Sequence, residues 1–206
     1  MNKKIRFLIA FGPTREPLDP VRYISNYSTG VMGRHLVNAA KKIGHEVQSI
    51  ECPAQAETAV ELEAVLKKRL GKNDVLIMAA AVCDVRPFKI SKTKIKKDSL
   101  LSIPLKKNPD ILANLSKIKK PGQIFIGFGL ESKDILKNGF KKMSSKKLEL
   151  IVIQQVMKNN KPFGEKPIEA YILRKNGEIK KLASIKKKKL AEILIKEAEK
   201  LFFKRL

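Results

Sequence analysis

Residues 12–33 read Gly-Pro-Thr-Arg-Glu-Pro-Leu-Asp-Pro-Val-Arg-Tyr-Ile-Ser-Asn-Tyr-Ser-Thr-Gly-Val-Met-Gly. Carboxylates, guanidinium groups, hydroxyls and a side-chain amide are crowded into one loop, a composition suited to holding a polar ligand. A second concentration runs from Ala79 to Lys97, where Asp84 closes an apolar run and Lys94, Lys96 and Lys97 follow. Cations that act weakly in water become effective stabilisers of charge once a lid excludes solvent, so this segment can close over a polyphosphate. By composition alone it reads as a disordered lysine-rich loop; its position just past a strand is what favours a flap. The chemistry offered is anion binding and charge neutralisation. Cys83 has no histidine near it in sequence and reads as a small buried thiol rather than a nucleophile.

These residues need a frame, and the hydrophobic pattern supplies one. Ile5 to Phe11 reads as a strand, and Thr29 as the N-cap of a helix in which Leu36, Val37, Ala40 and Ile43 recur before Gly44. A strand, a loop and a helix N-terminus together aim free backbone N–H groups at an anion. The loop between them exceeds the usual two to six residues, and its three prolines argue for function over disorder. Further strands are expected at Glu46–Glu51, Asp74–Ala81, Gln123–Phe128 and Leu148–Ile153, with helices at Thr58–Leu70, after Asn108-Pro109-Asp110, and at Lys133–Lys146. The alternation predicts an α/β, Rossmann-like three-layer fold with a mainly parallel sheet and helices on both faces. Arg174-Lys175-Asn176-Gly177 then turns an antiparallel hairpin, and Lys187 to Phe203 closes as an amphipathic helix. Asp84 falls at the same sheet edge as the first loop, so the two should face each other.

With 206 residues, one domain spanning 1–206 is expected. No apolar run approaches a membrane span and the start Met-Asn-Lys-Lys carries no leader-like hydrophobic stretch, so a cytoplasmic protein is expected. Cys52, Cys83, His35 and His45 have no metal-ligand spacing, which argues against a structural zinc site. The formal net charge of +24 invites a nucleic-acid reading. The lysines, however, are scattered over exposed faces without an aromatic stripe or a helix-turn-helix pattern, so no specific nucleic acid is expected. Gly30-Val31-Met32-Gly33 is only a fragment of a dinucleotide fingerprint, and no phosphate-loop motif occurs. Tyr171 and Lys175 match the spacing of a dehydrogenase pair but fall in a hairpin. The run Lys186 to Lys189 reads as the exposed start of the last helix.

Taken in order, residues 12–26 with Ser28-Thr29-Gly30, Ala-Ala-Ala-Val-x-Asp at 79–84, Lys-Ile-Lys-Lys at 94–97, Lys-Asn-Pro-Asp-Ile at 107–111 and Gly127-Phe128 resemble the phosphopantothenoylcysteine synthetases, the phosphopantothenate–cysteine ligases of coenzyme A biosynthesis. The resemblance implies a Rossmann-like homodimer with sites near the subunit interface, using CTP and Mg2+. Its reaction joins 4′-phosphopantothenate to cysteine through an acyl-cytidylate, and a separate flavin-dependent decarboxylase is expected to act in the same pathway. By the same resemblance Asn26 handles the acyl-nucleotide and Lys94 is the flap lysine needed for activation. Asp84, Lys107, Asn108, Pro109, Phe128, Lys142 and Lys146 contact the nucleotide, and Met78, Ala79 and Ala80 supply backbone around its base. A spacing of four places Lys142 and Lys146 on one side of the predicted helix.

The chain departs from the pattern at Val31, where a lysine or arginine is common, at Gly127-Phe128-Gly129-Leu130-Glu131-Ser132, and at Ile153-Gln154-Gln155-Val156 in place of Ala-Asn-Asp-Val. Two other readings stand beside the ligase: a nicotinamide-dependent reductase, and a non-enzymatic nucleic-acid-binding protein.

Overall fold

The computed structural model describes residues 3–156 and 162–204. In chain order it contains β1 (Arg6–Pro13), β2 (Arg15–Pro17), β3 (Tyr23–Ser25), α1 (Val31–Lys42), β4 (Glu46–Glu51), α2 (Ala59–Leu70), β5 (Val75–Ala81) and β6 (Val85–Pro87). A 3-10 turn (Lys97–Leu100) leads to β7 (Leu105–Lys107), α3 (Ile111–Lys117), β8 (Ile124–Glu131), α4 (Ile135–Ser145), β9 (Leu150–Gln155), β10 (Ile168–Arg174), β11 (Ile179–Ile185) and α5 (Lys187–Phe203).

Seven strands form one sheet in the order β11-β10-β9-β8-β5-β1-β4. From β4 to β9 every pairing is parallel, and β10 and β11 are added antiparallel. The α/β, Rossmann-like architecture expected from the alternation is the one observed. Alternate residues of each central strand feed opposite faces, which explains their continuous apolar runs. Phe7, Ile9 and Phe11 pack towards α1 and α5, while Leu8 and Ala10 pack towards the core built with α2 and α3. The order reverses between β1 and β5, and in a doubly wound sheet ligands bind in the crevice beyond that switch point. Two short arms stand over this crevice: β2 pairs with β3, and β6 with β7.

Four expectations are corrected. Gly30, not Thr29, is the N-cap of α1; it takes φ 72°, and the Thr29 carbonyl instead accepts from Arg34 Nη2 at 2.6 Å. The lysine-rich stretch after Val82 is partly built into the β6–β7 arm. Pro109 precedes the α3 N-cap Asp110, whose side chain accepts from Ala113 N–H at 3.1 Å. Lys187 is 4% exposed rather than solvated, because α5 lays its first turn against the 162–164 segment.

Candidate functional site

The site begins where β1 ends. Gly12 pairs with Ala80 and has φ +85°, and a Cβ there would lie 2.2 Å from the Cys52 carbonyl oxygen, so only glycine lets β1 leave the sheet at this point. The chain then climbs into the β2–β3 arm. Thr14 anchors it, donating its N–H to the Ala81 carbonyl at 3.2 Å and accepting from Cys83 N–H at its hydroxyl oxygen at 3.0 Å. Ser25 Oγ donates to the Thr14 carbonyl at 2.7 Å, and Asn26 Nδ2 donates to the Ala81 carbonyl at 3.0 Å. Asn26 is thereby suspended over the end of β5.

Behind the arm lies a buried polar knot that sequence reasoning missed. Glu16 is 1% exposed and accepts from Ala59 N–H at 2.9 Å. Burial pushes its carboxyl above the ordinary range, against hydrogen bonds from Ala59, Asn108 and Thr14. Asn108 Nδ2 donates to the Cys83 carbonyl at 2.8 Å, its N–H donates to the Asp84 carbonyl at 2.9 Å, and Arg86 Nη1 donates to its Oδ1 at 2.6 Å. The Asn108 side chain is therefore shared among the Cys83 carbonyl, Arg86 and Glu16, while its backbone N–H holds the Asp84 carbonyl. A glutamate and an arginine inside the two motifs were the available signal. Cys83 is buried, as expected, and burial raises its thiol pKa, so it is not poised as a thiolate.

Two adjoining cavities open on this edge. The first, about 340 Å³, is lined by residues 26–33 of the loop and the start of α1, by Ala79 to Val82, Asp84 and Phe128 to Leu130, and by Gln154, Pro162, Phe163 and Lys187. The second, about 270 Å³, is lined by Met78, Asn108 to Leu112, Lys142 and Lys146, with Cys83. Ala80, Val82, Asp84 and Phe128 line both and form the wall between them.

Of the residues singled out by sequence, Asn26 and Ala79 line the first cavity, Met78, Asn108, Pro109, Lys142 and Lys146 the second, and Ala80, Asp84 and Phe128 both. Lys94 and Lys107 line neither; both side chains are exposed, on the loop between the arm strands and at the end of β7. Lys142 Nζ pairs with Glu131 at 2.6 Å, and Lys146 Nζ with Asp110 at 3.0 Å. Lys187 was missed because it sits in an undifferentiated lysine run. Its ammonium donates to the carbonyls of Pro162 at 2.7 Å and Gly164 at 2.5 Å, and burial lowers its pKa below that of an ordinary lysine. Tyr27 and Phe163 rings meet at 5.9 Å between centroids on the outer rim.

No group of three or more His, Cys, Asp or Glu is gathered as a metal-ligand set among the described residues. No helix among them is long and apolar enough to cross a membrane.

Comparison with known proteins gives a consistent picture. The family model for the DNA/pantothenate metabolism flavoprotein C-terminal domain matches residues 2–201. The chain is 37% identical over 209 residues to the coenzyme A biosynthesis bifunctional protein CoaBC of Borreliella burgdorferi, covering 95% of this chain and 52% of that protein. It is 35% identical over 205 residues to a cysteine/cysteine sulfinic acid decarboxylase of an unknown prokaryotic organism, covering 93% and 57%. The chain thus spans about half the length of these curated relatives. A crystal structure of the C-terminal domain of a CoaBC protein superposes with a TM-score of 0.79 at 27% identity, covering 97% of this chain and 96% of that one.

Proposed function

Since this chain belongs to the DNA/pantothenate metabolism flavoprotein C-terminal domain family, we propose that it joins 4′-phosphopantothenate to cysteine in coenzyme A biosynthesis, with CTP as the activating nucleotide. The observation that carries this reading is the pair of cavities meeting at Ala80, Val82, Asp84 and Phe128. A ligase of this kind must bring two phosphate-bearing molecules to one point, and two cavities with a common wall offer a seat for each.

In the first step a carboxylate oxygen of 4′-phosphopantothenate bonds to the α-phosphorus of CTP while the bond to pyrophosphate breaks, leaving an acyl-cytidylate. In the second the cysteine nitrogen attacks the acyl carbon, CMP departs with the bonding pair, and the amine releases a proton. The substrate is its own nucleophile, so the protein's work is positioning and neutralisation of developing charge. We assign Asn26, over the end of β5, to the acyl-nucleotide. The second cavity takes the nucleotide: the backbone of Met78 and Ala80 flanks its base, with Ala79 between them turned to the first cavity, Asn108, Pro109 and Phe128 line it, and Lys142 and Lys146 face its phosphates after leaving Glu131 and Asp110. Lys107 approaches from β7. Lys94 serves activation, which requires its loop to close over the wall.

A magnesium ion fits as a companion of the nucleotide. Asp84, a carboxylate on the wall shared by the two cavities, would hold it, whereas the Asp110 carboxylate is engaged by Lys146 and by Ala113 N–H. When bound, the ion neutralises phosphate oxygens.

We also propose that the protein works as a homodimer. Val21, Phe88, Ile90 and Leu101 are 62%, 66%, 56% and 92% exposed on or beside the two arms, apolar area that a second copy would cover. Light scattering on the purified chain tests this, with a monomer at micromolar concentration as the refuting result.

The ligase reading is tested by pyrophosphate release with 4′-phosphopantothenate and magnesium, comparing CTP with ATP, with and without cysteine. CTP-dependent formation of the cysteine adduct, lost in Lys94→Ala and arrested at the acyl-cytidylate in Asn26→Ala, is the expected result. No turnover with either nucleotide overturns it.

A further inference from the structure

Lys94 and Asn26 stand on separate loops, yet one ion pair, buried on its carboxylate side, ties those loops together. Asp19 is 4% exposed. Its Oδ1 accepts from the N–H groups of Val21 and Arg22 at 2.8 and 2.9 Å, and its Oδ2 from Arg22 Nε at 3.0 Å. Asp-Pro-Val-Arg is a tight turn, with proline at its second position and the aspartate accepting from the backbone beyond it. Such a turn is complete in itself and asks for nothing further from its surroundings.

The pair nevertheless reaches across to the flap. Asp19 Oδ2 accepts from Ile95 N–H at 3.1 Å, and Arg22 Nη2 donates to the Ile95 carbonyl at 2.7 Å. Both polar backbone groups of Ile95 are therefore held by one ion pair, fixing the orientation as well as the place of the residue next to Lys94. A second tether lies three residues before Lys94, where Ser91 N–H donates to the Leu18 carbonyl at 2.9 Å. Lys94 is strung between these two attachments with its side chain exposed. On the other side Arg22 leads directly into β3, whose last residue, Ser25, precedes Asn26. The hydrogen bonds to Arg22 hold the Asp19 carboxyl far below the usual carboxylate range, so the clamp stays charged across the working pH range.

We propose that Asp19 and Arg22 are positioning residues that set the Lys94 loop against the Asn26 arm, so that the activation step depends on them although neither lines a cavity. The inference rests on the ligase reading for its catalytic half; its structural half stands independently. Three variants test it. Asp19→Asn removes the charge, Arg22→Lys removes the paired donors, and Ile95→Pro removes the amide from the flap side while leaving the pair intact.

In the first two variants, hydrogen exchange at Ile95 N–H should quicken on the order of tenfold. In all three, trypsin cleavage between Lys92 and Lys97 should quicken by a similar factor. The kcat for pyrophosphate release should fall on the order of tenfold, with KM for either substrate changed by less than about twofold. Unchanged exchange and cleavage would overturn the clamp. A loss expressed mainly in KM, or matched by a falling melting temperature, would reduce the pair to scaffolding. If the wild type shows no turnover, the ligase reading falls, and the clamp is decided by exchange and proteolysis alone.

Discussion

In the first cavity the lining cation is Lys187, 4% exposed and bonded to the carbonyls of Pro162 and Gly164. In the second the cations are Lys142 and Lys146, whose side chains keep 41% and 25% of their exposure and sit on Glu131 and Asp110. A buried ammonium with two of its three donors spent on backbone shapes a wall and stays put. Partly exposed ion pairs are worth little, so they part readily when a phosphate arrives. The first cavity holds its charge as structure, and the second holds it in reserve. That difference suits one substrate seated by shape and another bound through its phosphates.

The most severe way to break this contrast is to damage the first cavity from behind. A Cβ on Gly33 would lie 2.0 Å from the Phe11 Cβ, forcing α1 off β1. Gly33→Ala should cost about 3 kcal/mol in urea unfolding. In the fraction that stays folded, calorimetric CTP affinity should change by less than about twofold if the cavities are separately built. An equal loss on both sides would erase the distinction.

The charge reserve is tested next. Lys142→Ala and Lys146→Ala should each raise KM for CTP by about tenfold, as expected for a lost charge-assisted hydrogen bond. The effect should shrink with added salt, because the side chains are partly exposed. Their carboxylate partners should act with the opposite sign. Asp110→Asn frees Lys146 and should tighten CTP about two- to threefold by calorimetry; unchanged or weaker binding would mean that the pair does not hold the lysine in reserve.

The smallest effect concerns the buried lysine and is read from stability. Burial lowers the folded-state pKa of Lys187 from 10.5. Between the lowered value and 10.5 the unfolded chain holds more protons than the native one, so raising the pH through that window stabilises the fold. The melting temperature of the wild type should therefore gain on that of Lys187→Met as pH rises towards 10.5. Parallel curves would mean that Lys187 is solvated after all, and the contrast between the cavities would lose its basis.

How much of this was legible depended on whether the signal was local. Glu46–Glu51 and Lys187–Phe203 were bounded from sequence as they are observed, since an apolar period with clear breakers needs no outside partner. The helix expected from Thr58 begins at Ala59, with Thr58 as its N-cap accepting from Glu61 N–H at 3.2 Å, a contact only three residues away. Thr29 was misread for the complementary reason. The cap position there is set by Gly30 at φ 72° and by Arg34, which also bridges to Glu51. Lys142 and Lys146 lie on one side of α4, as their spacing implied, and both line the second cavity, although Lys146 is already the C-cap of α4. Family resemblance brought Asn26, Asp84 and Phe128 to one edge, and topology agrees because each lies near the carboxyl end of a strand or in the arm above it.

The amino-acid sequence by itself determined the alternation of strands and helices, the edge of the sheet on which the two cavities open, and the motifs lying there, because those follow from periodicity and local backbone chemistry. Tertiary structure alone decided which lysine is buried, that Asn108 braces the Cys83–Asp84 backbone, and that Asp19 and Arg22 seize Ile95 across separations of 76 and 73 residues. Burial and long-range hydrogen bonding depend on what the rest of the chain brings alongside. Identical lysines in one run can therefore differ completely once the chain is folded.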